Sequence, residues 1–122
     1  MRKQGFTMIE LLVAMAIIAT LLSLAAPKYF NNLERTKEAV LRENLYLMRD
    51  AIDKYYTDKG TYPKELNDLV KERYLRAIPI DPLTESAASW KSVAPEDTTL
   101  GGVYDVRSTA PNSKSGTKYS EW

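Results

Sequence analysis

The chain has 122 residues, with 17 Lys and Arg against 16 Asp and Glu, and neither His nor Cys. So even a charge balance leaves no basic footprint for nucleic acid, and the missing thiols exclude disulfides and thiolate metal sites. The lack of His removes the commonest general base and transition-metal ligand. An enzyme would have to work with carboxylates and lysines alone.

Taken from the start, Arg2 and Lys3 precede a run that is almost wholly apolar from Met8 to Ala26, interrupted by Glu10. As a helix of about 1.5 Å per residue, residues 6 to 26 span roughly 31 Å, which matches the roughly 30 Å hydrocarbon core of a bilayer. The basic flank places the N-terminus on the cytoplasmic side. A carboxylate within such a helix costs about 2.5 kcal/mol or more in lipid, so Glu10 calls for a partner charge. A secretory signal peptide cut near Ser23-Leu24-Ala25 would also show a basic flank and an apolar run, but not an internal Glu. A plain membrane anchor leaves Glu10 unexplained, and a buried soluble helix is disfavoured by the length of the run.

Pro27 falls where the apolar run ends. Proline removes one helical hydrogen bond and crowds the preceding turn, which predicts a kink or a loosened turn, or else a helix end. Helical periodicity resumes at once, favouring continuation. Leu41, Leu45, Met48, Ile52 and Tyr55 form one stripe, widened by Val40, Ala51 and Tyr56. Arg35, Glu38, Arg42, Arg49, Asp50, Asp53 and Lys54 take the other face, with Glu38–Arg42 and Asp50–Lys54 spaced for pairing. That face is either solvated or an inter-subunit contact, Asp50 and Asp53 of one chain meeting Lys28, Arg35 or Lys37 of another.

Gly60 is a stop signal for this helix. Thr61-Tyr62-Pro63 turns the chain, and residues 64–75 read as a second short helix through Leu66, Leu69, Val70 and Tyr74. Ile78-Pro79-Ile80-Asp81-Pro82 is extended, because each proline biases its predecessor toward β geometry. Residues 90–94 and 103–108 are strand candidates on β propensity, joined by a loop that ends in Gly101-Gly102. The expectation is α+β: a long N-terminal α-helix, membrane half then amphipathic half, packed on a small antiparallel β-sheet head. The tyrosines read as core aromatics, and no constellation for nucleophilic or acid–base catalysis is present.

Lys3-Gln4-Gly5-Phe6-Thr7-Met8-Ile9-Glu10 resembles the processing signal of type IV pilins and type II secretion pseudopilins, with Met8 in place of the usual Leu. The resemblance implies a leader over residues 1–5, cut by prepilin peptidase between Gly5 and Phe6, and N-methylation of Phe6. Residues 6–27 become the transmembrane and fibre-core helix, and residues 28–122 a periplasmic or extracellular head of pilin fold. Phe6 and Glu10 are the assembly residues and Pro27 the flexible joint. If staggered helices bundle, Glu10 of one chain reaches the Phe6 ammonium of its neighbour and sets register, the best-attested use of a buried ion pair.

The Gly-x-Tyr-Pro segment at residues 60–63 extends the resemblance to the family, and Tyr74-Leu75 followed by proline and Asp81-Pro82 is similar to the major pseudopilin of type II secretion systems, a filament subunit supporting protein export. The alternatives are a type IV pilin making a surface fibre (adhesion, twitching, DNA uptake or electron transfer) and a membrane-anchored periplasmic module that does not polymerise. The resemblance further implies, as partners, other copies of itself, prepilin peptidase, minor pilin-like subunits, and an inner-membrane assembly platform with its ATPase. Localisation follows as inner membrane before assembly and a periplasmic or cell-surface filament after it. No cofactor is certain. Major pseudopilins usually carry a C-terminal calcium loop, here implying Asp105, Asn112, Ser113, Ser115 and Glu121; Lys114 and Lys118 would oppose the ion.

Overall fold

The computed structural model describes residues 5–122; the rest of the expected leader, including Arg2 and Lys3, lies outside the described residues. The chain divides into two compact units, one ending at Thr36 and the other comprising Lys37–Trp122.

One helix, α1 (Met8–Lys59), supplies the backbone of the first unit and the first element of the second. It does not end at Pro27, which lies inside it. In the first unit the whole apolar window is exposed. Ser, Thr and proline are tolerated there because freed or extra polar groups find local partners: Thr20 Oγ1 donates to Ala16 O and Ser23 Oγ to Ala19 O, both at 2.8 Å. The helix stops where expected. Gly60 takes φ 72° and its N–H donates to Tyr56 O at 2.8 Å, a left-handed cap that costs glycine little.

In the second unit the expected stripe is the core. Leu41, Leu45, Met48, Ala51 and Ile52 are buried and Tyr55 is half-buried. Val40 and Tyr56 remain partly exposed, so the buried stripe is narrower than the sequence suggests. Leu41, Leu45 and Met48 pack with Trp90, Val106, Ala110 and Tyr119; Ala51 and Ile52 pack with Leu69 and Val103. Leu66 and Leu75 touch both groups and join them. Burying each large aliphatic side chain stabilises by about 1.5–3 kcal/mol.

The second helix, α2 (Asp68–Lys71), is much shorter than residues 64–75. Asp68 Oδ2 accepts the N–H groups of Lys64 and Glu65 at 3.2 Å, which bends that segment into turns. At the other end Arg73 adopts φ 65°, while Tyr74 N–H donates to Leu69 O and Arg73 N–H to Val70 O. That is a Schellman closure built on arginine instead of glycine, hence invisible to a search for glycine stops.

Two strands follow, β1 (Lys91–Val93) and β2 (Asp105–Arg107), paired antiparallel with Ser92 opposite Val106. The two strand candidates thus pair as expected, each shorter than read from sequence. The extended connection before them is pinned: Asn44 Nδ2 donates to Ile80 O and Trp90 Nε1 to Pro79 O. Asp81, fully buried, accepts from Leu83 N–H at 2.8 Å and from Ser108 Oγ at 2.5 Å. Its burial is tolerable because these donors replace water.

Candidate assembly site

The residues expected to govern assembly lie at the start of α1. Gly5, Phe6 and Thr7 precede its first turn, and Phe6 is 84% exposed. Thr7 and Glu10 close a reciprocal cap: Glu10 N–H donates to Thr7 Oγ1 at 3.1 Å, and Thr7 N–H donates to Glu10 Oε2 at 3.4 Å. The pattern Thr-x-x-Glu is a capping box, legible in the sequence but overlooked there in favour of the partner-charge argument. It gives the carboxylate a local role, since a negative charge in the first turn also favours the helix dipole. One N–H at 3.4 Å does not neutralise it, and Glu10 has no ion pair among the described residues. The carboxylate therefore stays available to an ammonium from outside the chain.

The charges expected to mediate contacts between subunits divide into two groups. Lys28, Arg35 and Lys37 have no ion pair among the described residues, nor does Asp53. Asp50 is taken: its carboxylate meets Lys54 Nζ at 2.9 Å, and the hydrogen bond that Lys54 donates to it raises the Lys54 ammonium above its usual range. The other expected pair, Glu38–Arg42, does not form. Glu38 instead accepts from Tyr119 Oη at 2.8 Å, and the Arg42 guanidinium lies over the Trp122 ring at 4.4 Å.

The supposedly solvated face thus anchors the tail, most strongly through Arg49. Its Nε donates to Asp105 Oδ1 at 2.7 Å, and its Nη2 donates to Val106 O and Trp122 O. Sequence spacing could not show this, because the partners lie 56 and more residues away. Tyr119 and Trp122 meet edge to face, with Tyr119 buried in the core.

Those contacts bear on the calcium loop. Calcium needs six to eight oxygen ligands, carboxylates prominent among them. Asp105 is committed to a guanidinium, Glu121 lies 3.9 Å from Lys118, and the Ser113 and Ser115 hydroxyls bond each other at 2.9 Å. No hydrogen bond joins Asn112 to the other four, and no group of three acidic ligands gathers among the described residues. The residues present do not fit a calcium site.

Comparison with known proteins agrees with the N-terminal geometry. Residues 1–26 match the prokaryotic N-terminal methylation motif. The chain is 28% identical to type II secretion system core protein G of Escherichia coli, over 96% of this chain and 88% of that one. With core protein G of Dickeya chrysanthemi it is again 28% identical, over 91% of this chain and 79% of the relative. The type IV major pilin protein PilA of Myxococcus xanthus is 31% identical over 56% of this chain and 31% of its own length. No solved structure matches the chain significantly.

Proposed function

We propose that this chain, type IV pilin-like and most like the major pseudopilin of type II secretion systems, is a structural subunit that polymerises into a pilus-like filament serving protein export. The observation that carries the reading is the contrast at the N-terminus. A methylation motif runs into a wholly exposed apolar helix whose one charge, Glu10, is capped locally and paired with no cation among the described residues. An exposed apolar surface of that length needs lipid or copies of itself. Both are available to a subunit that waits in the membrane and is then drawn into a fibre.

In this reading prepilin peptidase cuts after Gly5, and the Phe6 ammonium meets Glu10 of the next copy. Leaving one member of such a buried pair alone costs about 3–5 kcal/mol. Minor pilin-like subunits, an assembly platform and its ATPase complete the machinery, and the role is structural, with no step of catalysis assigned to any residue.

The capping box shapes the test. Glutamine preserves a capping box while removing the charge, so Glu10→Gln separates the two roles. Expressed with prepilin peptidase and the assembly machinery, Glu10→Gln and Glu10→Ala should both insert and be cleaved yet yield few filaments by negative-stain imaging. Normal yield from Glu10→Gln would sink the register role. Filaments confined to overexpression, with a secretion defect on deletion, support the export fibre. Long surface fibres at native expression would favour the type IV pilin reading, which the similarity to PilA over 56% of the chain keeps in view.

A further inference from the structure

Beside the β1–β2 hairpin lies a cleft of about 580 Å³ that none of the assembly arguments uses. Tyr62 and Tyr104 form part of it, their rings 5.4 Å apart and edge to face, and Tyr56 stacks on Tyr62 at 4.4 Å. Tyr104 is 53% exposed, so much of its surface is open to a ligand. Val93 and Leu100 supply apolar wall, and Glu96 and Asp97 supply carboxylates.

The walls are fixed. Tyr62 N–H donates to Leu100 O at 2.5 Å, and Gly102 and Val103 N–H both donate to Pro63 O. A Cβ at Gly101 would stand 2.2 Å from Tyr62 O, and one at Gly102 would stand 2.4 Å from Lys64 O. Glycines there let two backbones touch, so the loop carrying the carboxylates is clamped to the turn carrying Tyr62.

The charge in this cleft is unanswered. Neither Glu96 nor Asp97 has an ion pair among the described residues. Thr99 N–H and Oγ1 both donate to Asp97 Oδ1, at 3.0 and 2.6 Å. Those bonds hold the Asp97 carboxyl below its usual range and leave Oδ2 open.

Aromatic rings and ionised carboxylates around an apolar wall complement a cation carried on an apolar stem, which is the shape of arginine and lysine. We propose that this cleft binds an arginine or lysine side chain presented by an extended segment of a partner protein. The cleft's volume suits a few side chains, not a broad face. The guanidinium or ammonium would lie against Tyr104 and between Glu96 and Asp97, its methylenes along Val93 and Leu100. This goes beyond the filament reading and does not need it.

The test uses the full chain in detergent micelles, titrated with N-acetyl-arginine N-methylamide while the tyrosine ring resonances are followed by NMR. N-acetyl-citrulline N-methylamide, nearly the same shape without charge, is the control. The arginine probe should shift the Tyr62 and Tyr104 signals saturably, with the citrulline probe about tenfold weaker or worse. A Glu96→Gln/Asp97→Asn double variant should bind the arginine probe about tenfold more weakly at unchanged thermal stability, since asparagine still caps the turn. Equal binding of the two probes, or wild-type binding by the double variant, overturns the proposal. Filament yield separates the remaining occupant: a double variant that no longer polymerises means a neighbouring copy fills the cleft, and the separate partner is wrong. Normal assembly by Glu10→Gln would count against the filament mechanism and leave this site standing.

Discussion

The large aliphatic side chains in the two halves of α1 end in opposite states. Before Thr36, Leu11, Leu12, Ile17, Leu21 and their neighbours are more than half exposed; after Lys37, Leu41, Leu45, Met48 and Ile52 are at most 2% exposed. The difference is pattern, not hydrophobicity alone. The first half is apolar all round, which no small head could cover, whereas the second gathers Leu41, Leu45, Met48, Ala51 and Ile52 into one stripe that a head can cover. A helix apolar all round implies a partner outside the chain; a striped helix implies one inside it.

The largest effect expected within this comparison is Leu45→Ala, which opens a cavity in the head and should cost about 3 kcal/mol of head stability. Its counterpart Leu12→Ala should leave the head's denaturation midpoint unchanged and lower filament yield. Equal losses of head stability from both would break the contrast.

Next in size is Asp81→Ala. It strands the Leu83 N–H and the Ser108 hydroxyl in a buried place, at about 2 kcal/mol, visible as a lower urea midpoint without change of slope. Arg49→Leu should cost about 1 kcal/mol, since the ion pair with Asp105 is a third exposed and solvent screening discounts it. Because Arg49 also holds Trp122 O, hydrogen exchange in the tail should rise more than in β1.

The smallest effect is a pH dependence at the far end of α1. Tyr74 Oη donates to Asp58 Oδ2 at 2.7 Å, and that bond first, then partial burial, pushes the phenol from its usual 10.0 up to about 12. A group whose folded value is raised stabilises fully below its unfolded value and loses that contribution as pH climbs through the folded one. The Asp58–Tyr74 link should therefore hold below pH 10 and release toward about 12. Ultraviolet titration should show a tyrosine ionising near pH 12 in the wild type, and Tyr74→Phe should remove that late component.

Much of this was legible in the sequence by itself. The membrane-length run, the capping and processing residues around Glu10, the stop at Gly60 and the core stripe all follow from local patterns. Helix periodicity and caps act over four residues or fewer. Tertiary structure decided what depends on distant partners. Arg49 and Glu38, on a face that read as either solvated or inter-subunit, were captured by Asp105 and by Tyr119, 56 and 81 residues away. Gly101-Gly102 read as the end of a loop and proved to be where two backbones come too close for a side chain. Arg73 closed α2 in a conformation that propensity reserves for glycine, because packing around Leu69 outweighed the local cost. A side chain's spacing names the face it lies on, and only the fold determines what meets that face.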